Sequence, residues 1–303
     1  MFAANGAEGE QTHYWKELDQ LPHIPVLAGE TVDFLAGGDG SGLLVDGTAG
    51  AGGHLAMLVE KLPEMQFLAM ERDPAAVSIL RSRFSGHPSV TVRHGSYTEV
   101  PRVLKELGAG RASAALFDLG LSSIQLDDGE RGFSFSSDGP LDRRFDTSRG
   151  ETVSEMLSRM TEKEIADVIY RYGQEGRSRR IAAAIVRDRP IKSTGQLAAI
   201  VDGAVKSRGV KVLARVFQAL RIAVNGELDE LETMMEGLGN WTLPGSRIAF
   251  ITFHSIEDRM VKLLFRDDPH YRQHDPKWVV PGEDEIQQNS RARSARLRMG
   301  FRI

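Results

Sequence analysis

Short apolar runs alternate with amphipathic stretches from Leu43 to about Asp118. The runs LLVD, FLAME, VTVRH and ASAALFD have the length and composition of buried strands, and the stretches between them have helical spacing. Alternating strands and helices are typical of βαβ units, whose strands pair in parallel. The pattern therefore predicts an α/β fold with a mostly parallel sheet and helices on both faces.

This alternation stops after Asp118. Residues 122–150 are rich in Ser, Asp, Gly and Arg and predict a long structured loop. From about residue 152 to 206 only helical signals follow, such as Thr161 with Glu164 three positions later and a helical stretch that stops at Pro190. We therefore expect an all-helical subdomain inserted into the α/β domain.

The α/β pattern resumes after one long predicted helix over residues 216–238, in which apolar residues spaced by three and four form a single stripe. The stripe consists of Leu220, Val224, Leu228, Leu231, Met235 and Leu238. A strand, RIAFITF, and a helix, IEDRMVKLLF, follow. We predict an N-terminal extension (1–22), a first part of the main domain (23–128), an inserted loop and helical substrate-recognition region (129–214), and a completing part with a basic C-terminal tail (215–303).

Composition narrows the class of protein. The chain has 303 residues, of which 41% are hydrophobic and 26% charged, as in soluble globular proteins. It has no cysteine, which excludes disulfides, thiolate metal sites and enzymes that attack with a thiol. It also lacks an apolar run long enough for a membrane span and a secretory leader, so we expect a cytoplasmic protein without a membrane partner. The net charge of −4 argues against binding of nucleic acid through overall charge, but it is compatible with local basic surfaces.

A glycine-rich segment follows the first predicted strand. Asp46 ends that strand, and Gly50, Gly52 and Gly53 precede a helix that begins near His54. Glycines allow backbone amides to approach a ligand closely. The segment lacks both the G-x-G-x-x-G spacing of nicotinamide loops and the Gly-Lys-Ser/Thr ending of phosphate loops, so it favours a ligand without a pyrophosphate. A plain tight turn is the structural alternative.

Two further acids stand at strand ends. Glu71 closes the second strand, where nucleoside-binding folds place a carboxylate against ribose hydroxyls, and Asp118 closes the fourth. A helix-capping role for Glu71 and a turn-forming role for Asp118 are the alternatives. Together with the glycine loop, the acids favour adenosine without a diphosphate, and S-adenosylmethionine fits that description. The histidines predict no metal site, since His270 and His274 lack a glutamate partner.

A set of ordered motifs resembles one known family. The motifs are HIPVL from His23, DGTAGAGGH from Asp46, DLGLSSIQLD from Asp118, RGFSF from Arg131, GPLDRRFD from Gly139, FQALRI from Phe217, FHSIEDRMVK from Phe253 and the C-terminal RARSARLR. They resemble the bacterial small-subunit ribosomal RNA cytidine-N4 methyltransferase family over about residues 23–298. The resemblance implies a class I (Rossmann-like) methyltransferase fold with an inserted helical domain, methylating the exocyclic amine of a cytidine in the decoding region.

The resemblance also implies a cofactor site. With Asp46 and Gly50 from the glycine loop, the matched positions for S-adenosylmethionine are Gly52, Gly53, His54, Glu71, Tyr97, Asp118 and Gln125. The family usually has Asp at Glu71 and Phe at Tyr97. It also commonly has Pro at Ile124, Met-Arg-Met at 143–145 and His-Pro-Ala-Thr at 211–214, and we expect these three departures near the RNA face.

The missing cysteine bears on the chemistry. Methylation at carbon 5 of a pyrimidine generally requires a cysteine nucleophile, so transfer to an amino group or a hydroxyl remains. The amine of cytosine is a weak nucleophile, and alignment with the methyl donor is the main task. We expect residues 118–125 to provide it, with Asp118, Ser122 and Ser123 as candidate catalytic residues.

Candidate RNA contacts fall into several groups. Arginine binds phosphate bidentately, although a solvated charged face is the ordinary alternative for such runs. Phe133 and Phe135 are candidates for an aromatic platform under the flipped base, with core packing as the alternative. The other candidates are Arg131, Arg177, Arg180, Arg221, Asn225, His254, Arg291, Arg293, Arg296 and Arg298. The expected partner is small-subunit ribosomal RNA or the 30S particle, and homodimer formation stays open.

Three other functions compete with this interpretation. A DNA or other RNA amino-methyltransferase would share the cofactor, but the DNA enzymes usually carry Pro-Pro-Tyr or Pro-Pro-Phe where this chain has DLGLSS. A non-catalytic S-adenosylmethionine- or RNA-binding homologue would keep the fold without turnover, and the intact acids argue against it. A dehydrogenase is least favoured because the glycine spacing is wrong.

Overall fold

One seven-stranded sheet forms the centre of the molecule. The computed structural model describes residues 25–134, 138–205 and 209–303. The strands are β1 (Gly42–Asp46), β2 (Met65–Glu71), β3 (Val90–His94), β4 (Ala112–Asp118), β5 (Thr242–Thr252), β6 (Tyr271–Gln273) and β7 (Arg296–Arg302). Their order is β3-β2-β1-β4-β5-β7-β6, with β1 to β5 parallel and β6 and β7 antiparallel. The predicted α/β fold with a mostly parallel sheet is confirmed.

Helices cover both faces of this sheet. The helices are α1 (Ala28–Ala36), α2 (Gly53–Lys61), α3 (Pro74–Arg83), α4 (Val100–Glu106), α5 (Ser123–Asp127), α6 (Val153–Arg159), α7 (Glu162–Gly173), α8 (Ser178–Arg187), α9 (Thr194–Val205), α10 (Val210–Asn225), α11 (Glu227–Trp241), α12 (Ser255–Asp267) and α13 (Glu283–Gln288). Successive strand residues point to opposite faces, so Leu44 packs with α1, α2 and α3, and Val45 packs with α4, α11 and α12. Strands buried on both faces explain the continuous apolar runs. Within the described ranges, no helix is long and apolar enough to cross a bilayer.

A third hydrophobic core belongs to the helical region. It joins α6, α7, α8, α9 and α10 around buried residues such as Ile169, Ile185 and Phe217. Helix α10 packs mainly against α7, so this core extends beyond the boundary predicted at residue 214. The sequence predicted that this region is helical, but not which faces its helices bury. Pairing of α10 with α7, about 45 residues earlier in the chain, required the tertiary structure.

The prediction of one long helix over residues 216–238 is wrong. Gly226 has φ 63° and separates α10 from α11. Glycine adopts this left-handed conformation without steric cost and is the usual residue after a helix C-terminus. The predicted stripe is therefore divided, because Leu220 packs in the helical core whereas Leu231 and Leu238 pack against the sheet.

The basic C-terminal tail is also corrected, because it forms strand β7. Residues Leu297 and Met299 are buried and alternate with Arg296 and Arg298, as the twofold period of a strand requires. The strand lies between β5 and β6 in the sheet. The three arginines among seven residues concealed this strand: Arg296 and Arg298 share the acid Asp258, and Arg302 bonds the Thr242 carbonyl.

Candidate functional site

The carboxyl ends of β1, β2 and β4 meet at a cavity of about 380 Å³. Parallel strands end at the same edge of a sheet, which is where α/β folds bind ligands. Eight of the predicted cofactor and catalytic residues line the cavity: Gly50, Gly53, His54, Glu71, Tyr97, Asp118, Ser122 and Gln125. The fold therefore brings together side chains that are up to 75 residues apart in the chain. Asp46 lies buried beneath the cavity floor, with 2% of its surface exposed.

The loop between β1 and α2 requires glycine for steric reasons. A Cβ atom on Gly47 would lie 2.5 Å from the Phe117 ring, and one on Gly53 would lie 2.5 Å from Cγ of Pro25. Gly52 has φ 83°, a left-handed conformation that side chains disfavour. The loop thus packs tightly behind its backbone and presents that backbone to the cavity.

Glu71 links the end of β2 to the glycine loop. Its Oε2 accepts a hydrogen bond of 2.7 Å from the Gly50 amide, and its Oε1 accepts one of 2.7 Å from the Asp73 amide. Burial raises the pKa of the Glu71 carboxyl, and the two amides oppose that shift. Each oxygen has further lone pairs, so the carboxyl group still offers acceptors on the cavity side.

Asp46, which is buried, and Asp118, whose side chain is 26% exposed, form a pair of acids at the ends of neighbouring strands. Burial raises the pKa of Asp46 to about 7, with a smaller contribution from the Glu71 charge. Burial, followed by the charges of Asp46 and Glu257, raises the pKa of Asp118 to about 8. Oδ1 of Asp118 is buried and has no hydrogen-bond partner in the described part of the chain. The Asp118 side chain as a whole is 26% exposed and lines the cavity, so its carboxyl group is an acceptor that a cation or an N–H donor bound there would stabilise.

His54 supports this arrangement from the first turn of α2. Its Nε2 lies 3.0 Å from the carbonyl oxygen of Val26 and therefore carries the hydrogen, because a carbonyl only accepts. Burial lowers the pKa of His54 to about 4, so the ring is neutral and Nδ1 has a lone pair. That lone pair faces Oδ2 of Asp118 at 3.6 Å. His54 therefore does not neutralise a charge on Asp118.

The opposite wall comes from the inserted loop and from helices α10, α11 and α12. Phe145, Arg221, Glu227 and Glu257 line it. Arg221 donates through Nε and Nη2 to the two carboxylate oxygens of Glu227, both at 2.8 Å and both buried. Glu227 and Glu257 were not identified from the sequence, and Phe145 was expected near the RNA face, as part of the departure at 143–145, and not in the cavity wall. Their one signal was a position within or beside the motifs GPLDRRFD, FQALRI and FHSIEDRMVK.

Glu227, His254 and Glu257 also offer ligand-type atoms within 4.8 Å of one another. No metal site was predicted from the sequence. Glu227 and His254 are 27 residues apart in the chain, so their proximity was not apparent from local spacing. The Arg221 fork already holds Glu227. Glu257 lies 2.9 Å from His254 Nε2 and accepts from the Phe253 amide at 3.0 Å. We assign no metal to this group because a guanidinium already provides its positive charge.

Comparison with known proteins decides the family. The sequence profile of the MraW methylase family matches residues 20–303. The chain belongs to the MraW methylase family. A relative from Sorangium cellulosum, Ribosomal RNA small subunit methyltransferase H, is 42% identical over 93% of this chain and 91% of its own length. A protein of the same name from Coprothermobacter proteolyticus is 39% identical, over 92% and 95%. A solved rRNA methylase from Streptococcus thermophilus has a TM-score of 0.43 at 12% identity, over 93% of this chain and 99% of that one.

Membership in the MraW methylase family makes this chain a methyltransferase, and its cofactor is S-adenosylmethionine. The groups that line the cavity fit the chemistry of that molecule. Asp118 offers a carboxyl group to the cationic part of the cofactor, and Glu71 offers oxygens suited to accept from ribose hydroxyls. The glycine loop presents its backbone to the cavity. The family resemblance derived from the sequence is confirmed.

The 118–125 segment is held rigid by a capping box. The Ser122 hydroxyl accepts a hydrogen bond from the backbone N–H of Gln125, and the side-chain Oε1 of Gln125 accepts one of 3.0 Å from the backbone N–H of Ser122. Gln125 Nε2 donates to Oδ2 of Asp73 at 3.1 Å. Ser122 thus acts on the shape of the loop, and its catalytic role stays a prediction. The side chain of Ser123 and all of Phe135 lie outside the described residues.

Several predicted RNA contacts are buried in this MraW methylase, which corrects their expected exposure. Arg131 makes a 2.9 Å ion pair with Asp73 and donates to the carbonyls of Arg144 and Phe145. The Asn225 amide group bonds Phe145 N, Arg143 O and Arg221 O. Arg131 and Asn225 both fix the inserted loop to the core, and their polar atoms are already bonded to other groups of the protein.

Three more of these candidates have mainly internal partners. Phe133 is 3% exposed and stacks on Phe145 with ring centroids 5.9 Å apart. Arg298 is 2% exposed and bonds Asp258, and Arg221 holds Glu227. Sequence reasoning missed these placements because the acidic partners lie 6 to 58 residues away. Arg221 still borders the cavity through part of its side chain.

Arg143 was expected near the RNA face, and the structure corrects this as well. Its Nη1 donates to the carbonyl oxygens of Gly132 and Phe133, and the guanidinium lies 5.5 Å and 5.0 Å from the Phe133 and Phe217 ring centroids. Burial, with the charge of Arg221, lowers the pKa of Arg143 to about 9. The two aromatic faces thus stabilise the buried guanidinium by cation–π contacts.

The remaining RNA candidates lie at the surface except for His254, whose side chain is 8% exposed and contacts Glu257, and their role in RNA binding stays a prediction. Arg177 and Arg180 are exposed near the start of α8, where Arg177 pairs with Glu175 at 2.8 Å. His254 caps α12. The exposed arginines near the C-terminus are Arg291, which lines the cavity mouth and bonds Asp127, then Arg293 and the partly exposed Arg296.

Proposed function

We propose that this enzyme transfers the methyl group of S-adenosylmethionine to the exocyclic N4 amine of a cytidine in the decoding region of small-subunit ribosomal RNA. The observation that carries the proposal is the Asp118 carboxyl group, which lines the cavity beside the glycine loop and is 26% exposed to it. The relatives named Ribosomal RNA small subunit methyltransferase H support the choice of substrate. The substrate is the RNA of the small subunit, free or assembled into the particle.

Alignment is the main contribution of the protein. When bound, S-adenosylmethionine supplies an already activated methyl group. The exocyclic amine delocalises its lone pair into the ring, and a hydrogen bond from its N–H to Asp118 orients it toward the donor. Effective molarities in well-oriented reactions account for about 7–11 kcal/mol of barrier. The capping box of Ser122 and Gln125 keeps the 118–125 segment in place, which makes Ser122 a positioning residue.

Asp118 also receives the proton that the reaction releases. Methyl transfer converts the amine into a cationic nitrogen that carries one hydrogen too many, and that hydrogen leaves as a proton. The Asp118 carboxylate accepts it, because transfer removes the sulfonium charge that favours the ionised form and burial raises the pKa of Asp118 to about 8. His54 cannot supply a competing proton from Nδ1, since its hydrogen lies on Nε2.

Mass mapping of methylated cytidines in small-subunit RNA tests the substrate. Cells lacking this protein should lose one N4-methyl mark, and the protein should restore it. An Asp118→Ala variant should fold normally but fail to restore the mark. Asp33→Asn is the matched control, because Asp33 is an exposed acid on α1 whose side chain is 76% exposed. An unchanged map in the deletion strain would reject the proposed substrate.

A further inference from the structure

Trp278 is an exposed indole on the segment between β6 and β7. It is 48% exposed, whereas Trp241 in the sheet core is 4% exposed. An exposed tryptophan is uncommon because burying its large ring area is favourable. The exposed indole is therefore available to bind a partner.

The groups around the indole are cationic. The guanidinium carbons of Arg296 and Arg298 lie 5.6 Å and 5.5 Å from the Trp278 ring centroid. Both arginines bond the single carboxylate of Asp258, so one positive charge remains in excess. Arg298 is buried and fixes the ring from within, whereas 40% of the Arg296 side chain is exposed. An aromatic face beside an exposed guanidinium is complementary to a nucleotide, with its flat base and its phosphate.

The indole also lies next to the edge of the sheet that carries the site. The Thr252 hydroxyl, at the carboxyl end of β5, donates to the Arg296 carbonyl at 3.2 Å. The residue after Thr252 is Phe253, which lines the cavity together with Arg291 from the same C-terminal segment. Val279 pairs with Leu297 in β7. Trp278 is thus anchored through Val279 to β7, whose neighbour β5 leads directly into the cavity residue Phe253.

We propose that Trp278 is a stacking platform for an unpaired base of the RNA substrate that flanks the target nucleotide, with Arg296 holding the adjoining phosphate. The proposal rests on the proposed function, because it assigns part of that substrate to a surface beside the same site. Turning a target base out of its stack leaves neighbouring bases without one stacking partner. An indole replaces that partner without reading sequence.

Equilibrium binding of purified small-subunit RNA tests the platform. Trp278→Ala should weaken binding about 5- to 150-fold, which corresponds to about 1–3 kcal/mol for one base stack. Trp278→Phe should retain most of the affinity because it keeps an aromatic face. Leu243→Ala is the control, since Leu243 is 42% exposed at the opposite, amino end of β5. All three variants should bind S-adenosylmethionine with unchanged affinity.

Fluorescence separates stacking from a merely structural role. RNA should quench the indole emission of the unmodified protein, and Trp278→Phe should lose the part of that quench that comes from Trp278 while Trp15 and the buried Trp241 still emit. The proposal is overturned if Trp278→Ala binds RNA normally, or if Leu243→Ala loses as much affinity. An effect on whole particles without one on free RNA would assign the surface to a ribosomal protein instead. RNA binding that depends on Trp278 in a protein that leaves the methylation map unchanged would refute the proposed function and keep the platform.

Discussion

The raised pKa of Asp118 makes the preference for the methyl donor over its product depend on pH. S-adenosylmethionine carries a sulfonium charge that S-adenosylhomocysteine lacks, and the two are otherwise alike. A cation close to Asp118 favours the ionised carboxylate. Binding of the sulfonium should therefore release a proton from Asp118 wherever the free protein holds one, and affinity should rise with pH up to the pKa of that group.

The structure sets the size of the effect. With a pKa of about 8, Asp118 is ionised in about one molecule in a hundred at pH 6 and in half of them at pH 8. The ratio of the two affinities should therefore change about 50-fold in favour of S-adenosylmethionine between pH 6 and pH 8, and level off above that. Effects of pH on the amino and carboxyl groups that both ligands share cancel in this ratio.

Titration calorimetry of both ligands measures this ratio directly. Heats recorded in two buffers of different ionisation enthalpy count the protons released, and S-adenosylmethionine should release up to one more than S-adenosylhomocysteine near pH 7. Asp118→Asn should abolish the pH dependence of the ratio, and Asp33→Asn should leave it intact. A ratio that does not change with pH, or one that still changes in Asp118→Asn, would refute the assignment of Asp118 to the cationic end of the donor.

Three further outcomes follow from the same geometry. The raised pKa values of Asp46 and Asp118 mean that the folded, ligand-free protein binds more protons than the unfolded chain, so the free energy of unfolding should fall as pH rises from about 4 to about 8. Urea denaturation checks this, and the Asp46→Asn/Asp118→Asn double variant should show a smaller fall. Gly47→Ala places a Cβ 2.5 Å from the ring behind it, and we expect about 1–3 kcal/mol of lost stability together with weaker donor binding by calorimetry. Arg131→Ala leaves the buried Asp73 unpaired and should cost about 3–5 kcal/mol in denaturant unfolding, whereas an unchanged stability with weaker RNA binding would restore the RNA role.

Much of the cofactor site was accessible from the sequence because its residues lie at strand ends. A strand's carboxyl end is recognisable from a short apolar run followed by an acid and glycines, and parallel strands bring such ends together. Asp118, Glu71 and Gly50 were identified in this way, and all three line the cavity. The RNA contacts were harder, because exposure of an arginine depends on acids that lie far away in the chain.

The sequence by itself determined the strands of the α/β domain and the existence of a helical insertion, because both follow from the local spacing of apolar residues. Its lack of cysteine determined the absence of thiol chemistry. Tertiary structure alone decided that Gly226 divides one apparent helix between two cores, that the arginine-rich C-terminus is a buried strand, and that Phe145 forms a cavity wall. Each of these depends on a partner distant in sequence, and local patterns do not encode which distant surfaces meet.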